Sequence, residues 1–141
     1  MRKITPGYEN WSELDLLTGM IYGEARGEST SGKIGVAVTA KNRVDNPGWW
    51  GRNWREVILM PRQFSCWEDH NAEKIRVAMQ TKSSAWESCR KIAADVYLGS
   101  VIDTLGGPTH YHAISILPAW TSKMTLLAVI GSHIFYRDGG G

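Results

Sequence analysis

Nowhere in the 141 residues is there a run of about 18 apolar side chains, so the sequence contains no segment that reads as a helical membrane span. Arg2 and Lys3 open the chain, but Pro6, Glu9, Asn10, Glu13 and Asp15 interrupt any apolar stretch behind them, and no signal peptide is read there. Cysteine is scarce. Cys66 and Cys89 lack CxxC spacing, and two thiols cannot build a disulfide scaffold, so both are expected to be free and partly buried, a single bridge between them being the alternative. Neither HExxH nor another dense ligand motif occurs, and no internal repeat, low-complexity run or linker divides the chain. Net charge is small too. A formal +2 favours approach to an anionic polymer but falls far short of the charge density of a nucleic-acid-binding module. These absences leave one domain over residues 1–141, long enough to bury a core without disulfides or a structural metal. It is expected to be a monomer that needs no cofactor and binds neither nucleic acid nor membrane.

What is abundant is tryptophan. Seven indoles imply an aromatic-rich core, a groove on which rings stack, or both. Trp49, Trp50 and Trp54 fall in a stretch with glycines, asparagine and arginines, which reads either as a lid on the core or as a stacking platform.

Hydrophobic spacing predicts a mainly helical chain. Ser12 and Asp15 form a capping pattern ahead of Leu14, Leu17 and Ile21, giving a helix over 12–26. Thr30 or Ser31 is placed to cap a second helix over 31–45 that is apolar nearly all round, as expected of the central helix of the domain. Asn53 caps a short helix to Leu59, followed by an irregular or extended piece through Trp67. Two further helices follow over 71–80 and 84–98, the second with a Ser84/Glu87 capping box. Beyond Gly99 the composition turns β-like, at Thr109-His110-Tyr111-His112 and Ser132-His133-Ile134-Phe135-Tyr136, and a small antiparallel sheet is expected. The terminal Gly139-Gly140-Gly141 reads as a disordered tail.

The chain is organised around Tyr22-Gly23-Glu24-Ala25-Arg26-Gly27-Glu28. Glu24 and Glu28, four residues apart, share a face if the first helix reaches that far. Glu24 extends an apolar stripe, a placement expected to desolvate its carboxylate in part. Gly23 and Gly27 cost helix stability of about 1 kcal/mol each relative to alanine, and close approach of a ligand is one justification. The plain alternative is a solvated glutamate with Gly27 as the helix stop.

Three chemistries fit the side chains. Glu24 with Gln63, Ser65, Tyr111, His112 and Trp120 supplies a carboxylic acid, aromatic walls and hydrogen-bonding groups, the requirements of glycosidic bond cleavage. His110, His112 and His133, joined by Glu24, His70 or a cysteine, would make a zinc site of the kind an N-acetylmuramoyl-L-alanine amidase uses. Cys66 or Cys89 with a histidine would make a thiol nucleophile, although nothing local marks either thiol as activated. A non-catalytic glycan-binding surface built from the tryptophans is the remaining option.

The ordered blocks Tyr22-Gly23-Glu24-Ala25-Arg26-Gly27-Glu28, Gly32-x-x-x-Val36-Ala37, Lys41-Asn42-Arg43-Val44, Gln63-Phe64-Ser65, Gly107-Pro108-Thr109-His110-Tyr111-His112 and Ile130-Gly131-x-His133-x-Phe135-Tyr136 span residues 20–137. Together they resemble the catalytic domain of the SleB/CwlJ cell-wall hydrolases, known from spore cortex lysis and also found in phage lysins. The resemblance implies an α+β, mainly helical domain related to lysozymes and lytic transglycosylases, acting on peptidoglycan glycan strands. It places the catalytic glutamate at Glu24, which in a lytic transglycosylase acts first as acid and then as base, with hydrolysis of the same bond by an N-acetylmuramidase as the other outcome. Glu28 falls at a position usually acidic in the family, with its role open between a charge neighbour, a hydrogen-bond brace and a water-activating base. Gln63, Ser65, Tyr111 and His112 become groove residues. Without a recognised signal peptide or wall-binding module, the chain looks more like a one-domain phage endolysin, made in the host cytoplasm and let out to the wall by another protein.

Overall fold

The structure, a computed structural model, describes residues 4–138 apart from the side chains of Asp69 and His70. The His70 option for a metal ligand and the terminal glycines therefore lie outside the described residues.

Ser12 caps α1 (Glu13–Ala25): its hydroxyl accepts from the Asp15 N–H at 3.0 Å, and Asp15 Oδ2 accepts from the Ser12 N–H at 3.2 Å. This reciprocal pair fixes where the helix starts. α2 (Thr30–Asp45), α3 (Trp54–Leu59), α4 (Asp69–Thr81), α5 (Ser84–Tyr97) and a 3-10 turn over Ser65–Trp67 all pack against α1. The central helix is thus α1, not the all-round apolar α2. Glycine explains the difference: a Cβ at Gly19 would lie 2.6 Å from the Trp67 ring, and one at Gly23 would lie 2.4 Å from Cys66 Cβ. Those two bare positions, one helical turn apart, let the 3-10 turn press directly onto α1.

Two caps sit one residue earlier than expected. Ser29, not Thr30 or Ser31, caps α2 by accepting from the Gly32 N–H, and Ser83, not Ser84, caps α5 by accepting from the Trp86 N–H. In each case the earlier serine already lies outside the helix with its hydroxyl in reach of the N–H three residues on.

After α5 the chain forms β1 (His110–Ala113), β2 (Met124–Ile130) and β3 (His133–Asp138), an antiparallel sheet in the order β1-β3-β2. β2 had no sequence signature. Its Leu126-Leu127-Ala128-Val129-Ile130 does not alternate, and the register slips between Leu126 and Ala128, so the period-two pattern is lost. The register of β1 on β3 pairs Tyr111 with Phe135 and Ala113 with His133, putting these four side chains on one face; His110, His112, Ile134 and Tyr136 take the other. Phe135, fully buried, fixes the first face against α2, where a Cβ at Gly35 would meet its ring at 2.6 Å.

The aromatic excess divides between core and surface. Trp11, Trp67 and Trp86 join Tyr8 in edge-to-face contacts with centroids 4.9 to 6.5 Å apart. Trp50 is buried, its indole N–H donating to the carbonyls of Arg43 and Asn46, and Trp54 packs on Tyr97. Trp49, by contrast, is 52% exposed.

Candidate active site

A groove of about 670 Å³ runs between the sheet and the stretch from Arg62 to Ser65. α1 delivers Glu24 to it in the last turn of the helix. Glu24 Oε1 accepts a 2.6 Å hydrogen bond from the Tyr111 hydroxyl, and Oε2 accepts one of 3.2 Å from the Cys66 N–H. Both donors are set by packing. Tyr111 stacks on Phe64 at 6.1 Å and meets His133 edge-on at 5.1 Å, while Cys66 is brought in by its contact with Gly23. Burial, reinforced by the Glu24 charge, pushes the Tyr111 phenol well above its ordinary range, so it keeps its proton and stays a donor. The same two causes push the Cys66 thiol up, and burial raises Cys89 to about 11. Both cysteines are free, buried and unactivated, which removes the thiol-nucleophile reading.

Arg43 organises the floor of the groove. Although only 3% exposed, its guanidinium donates through Nε to the Thr109 carbonyl at 2.7 Å and through Nη1 to Gln63 Oε1 at 3.2 Å. It also lies over the rings of Trp49, Trp50 and Phe64, and burial lowers it to about 10. One residue earlier, Asn42 donates to the Pro108 carbonyl and to Asp103, whose carboxylate also accepts from the N–H groups of Leu105 and Gly107. The loop leading into β1 is thereby tied to the end of α2.

Gln63, Ser65, Tyr111, His112 and Trp120 all line the groove with Glu24. Gln63 is committed to Arg43, and Ser65 is exposed on the wall. His112 is buried, with Nδ1 2.7 Å from the Ala113 carbonyl and Nε2 2.9 Å from the Tyr136 hydroxyl. Trp120 packs across His110, His112 and Tyr136.

Glu28 is placed elsewhere. α1 ends at Ala25, so the expected shared helix face does not form, and Glu28 lies in the turn before α2. Its Oε1 accepts from the Ser132 N–H at 2.8 Å and lies 3.8 Å from His133 Nδ1. Gly131 is bare beneath it: a Cβ there would be 2.3 Å from the carboxylate. Glu28 is spent on the β2–β3 turn and does not line the groove.

The zinc alternative also fails on geometry. His110 and His112 occupy one face of the sheet and His133 the other, because the antiparallel register pairs His133 with Ala113. Among the described residues no group of three or more His, Cys, Asp and Glu side chains is placed to hold a metal ion. His110 bonds instead with Thr109 Oγ1 at 3.0 Å and is held down at about 4 by burial and then by the Arg43 charge.

Sequence reasoning missed Arg43, Arg62, Phe64, His133 and Asp138 as groove residues. Arg43 stands in the polar run Lys41-Asn42-Arg43 at the end of α2, where nothing local sets it apart from its neighbours. Asp138, the other acid of the lining, projects from the sheet face of His110 and Tyr136, opposite that of Tyr111.

A mainly helical α+β domain of lysozyme-like fold, with one carboxylate held by donors on a groove floor, is the class this geometry defines. The family model described as cell wall hydrolase matches residues 27–136, and the chain belongs to that family. The match begins three residues after Glu24, whose candidacy therefore stands on the groove. The chain is 29% identical over 133 residues to a spore cortex-lytic enzyme of Halalkalibacterium halodurans, covering 94% of this chain and 36% of that protein. It thus spans about a third of the length of that relative. Among solved structures it resembles the catalytic domain of the germination-specific lytic transglycosylase SleB from Bacillus anthracis, with TM-score 0.67 and 25% identity over 92% of this chain and 98% of that one. The catalytic domain of Bacillus cereus SleB matches with the same score and identity over 97% and 98%.

Proposed function

We propose that this protein cleaves peptidoglycan glycan strands between N-acetylmuramic acid and N-acetylglucosamine as a lytic transglycosylase. The observation that carries this is Glu24, held on the groove floor between the Tyr111 hydroxyl and the Cys66 N–H. In the first step the Glu24 carboxyl gives its proton to the glycosidic oxygen and the C1–O bond breaks, releasing the N-acetylglucosamine side with a free 4-hydroxyl. In the second, the Glu24 carboxylate takes the proton of the muramic 6-hydroxyl as that oxygen bonds to C1, closing a 1,6-anhydro ring. Glu24 ends protonated, as it began. One carboxylate suffices, which agrees with Glu28 being engaged at the β2–β3 turn and Asp138 projecting from the opposite face of the sheet. Tyr111 is the positioning donor, and Gln63, Ser65, His112 and Trp120 form the walls that receive the sugars. The relatives named as a spore cortex-lytic enzyme and a lytic transglycosylase support the same substrate class.

Glu24→Gln and Glu28→Gln test the assignment on purified peptidoglycan. Loss of the acid/base is expected to lower kcat at least about 10²-fold. Glu28→Gln, which keeps an acceptor for Ser132, is expected to retain most of the parental rate. Equal and severe losses would return Glu28 to the chemistry. The proposed setting is phage-induced lysis, checked by expressing the protein in the host cytoplasm: the cells should lyse only when a membrane-permeabilising protein is made alongside it.

A further inference from the structure

We infer that the open edge of β1 docks the stem peptide carried by the muramic acid, as an added strand. This rests on the glycan-cleaving reading above. In the order β1-β3-β2, among the described residues β1 is bonded to β3 on one side only. The Ile114 N–H donates to the Ser132 carbonyl, and alternation along the strand then turns the main-chain groups of His110, His112 and Ile114 toward β3. Those of Tyr111 and Ala113 point away from it. The Ala113 carbonyl is taken by the Ile116 N–H. The N–H and C=O of Tyr111 and the N–H of Ala113 remain, facing outward along the strand.

The groove follows this edge. All four consecutive β1 residues line it, although their side chains alternate between the two sheet faces, as happens when a cleft runs along a strand rather than across a face. The outward groups of Tyr111 and Ala113 are two residues, about 7 Å, apart, the repeat of an extended peptide. An N-acetyl group offers a single amide and cannot use both positions. The edge starts at Tyr111, whose side-chain hydroxyl holds Glu24, so the open edge lies one tyrosine side chain away from the proposed acid, within the span of a peptide tethered to the muramic acid. Charge agrees: exposed Arg62 stands on the groove wall, suited to the carboxylates of a stem peptide.

The test compares kcat/KM on glycan strands carrying stem peptides with that on the same strands stripped by an amidase. The parent is expected to prefer the peptide-bearing strands by about tenfold, the contribution of one or two net main-chain hydrogen bonds. Ala113→Pro removes one outward N–H while leaving the β3 ladder intact, a change an edge strand accommodates, and is expected to bring the ratio to within about twofold of unity. Arg62→Gln, on the surface, should lower the same ratio, and melting curves of both variants report their folding. Equal rates of the parent on both substrates would overturn the docking site and leave sugar amides as the occupants of the edge. A ratio that survives both substitutions would overturn it too. Cleavage of neither substrate would overturn the glycan-cleaving reading itself, and this inference with it.

Discussion

Glu24 is aimed by Tyr111, and Tyr111 by its ring contacts with Phe64 and His133. Replacing Tyr111 with phenylalanine keeps those contacts and deletes the 2.6 Å hydrogen bond to the carboxylate. A bond of that type, to a charged group, is worth about 1.5–3 kcal/mol, so kcat for peptidoglycan should fall about 10- to 100-fold with little change in KM or melting temperature. His110 gives a separate prediction for stability. It is held at about 4 in the folded protein, against an ordinary value near 6.5. Between those values the unfolded chain binds a proton that the folded one refuses. Stability should therefore decline as pH falls from about 6.5 to about 4, flatten below that, and gain nothing from this group above 6.5. The loss is up to about 3 kcal/mol, and the urea midpoint of His110→Gln should vary less between pH 7.5 and 4.5 than that of the parent. At this scale the sequence was informative where chemistry and position coincided. Glu24 stood on an apolar stripe beside glycines, and Tyr111 lay in a β-like run. Arg43 escaped because a charge near a helix end reads as solvated, and only the fold shows the Thr109 carbonyl and Gln63 closing around it.

The junction of α1 with the 3-10 turn and the hairpin carries its own tests. At Gly23 an added Cβ would meet Cys66 and Ile75 at 2.4 and 2.8 Å, so Gly23→Ala forces the 3-10 turn away from α1. It should destabilise by about 1–3 kcal/mol and also lower activity, because the Cys66 N–H moves off Glu24. Among the described residues nothing lies within 4 Å of a Cβ at Gly27, where Gly→Ala is expected to be neutral or to stabilise by about 0.4–1 kcal/mol. Thermal unfolding of the two variants separates them. The glycine cost noticed in the sequence thus has two explanations, backbone packing at Gly23 and an ordinary turn at Gly27. Helices α1 to α5 were legible within one or two residues because capping and periodicity are local. β2 was not, since its register slip and its pairing with β3 depend on partners distant in the chain.

For the whole molecule, the fold places a carboxylate from the first helix, a hydroxyl from the first strand and a backbone N–H from the 3-10 turn within one groove. Side-chain chemistry grouped Glu24 with Tyr111, but spacing in the sequence could not bring the two together or show the Cys66 N–H beside them. The same long-range geometry separated the three histidines that local spacing had grouped, by setting His133 on the opposite face from His110 and His112. The most direct measurement is mass spectrometry of the soluble fragments released from purified peptidoglycan by the parent and by Glu24→Gln. Fragments ending in 1,6-anhydromuramic acid are expected from the parent and none from the variant. Intact glycan strands with free peptides, or unchanged release by Glu24→Gln, would contradict the proposed reaction.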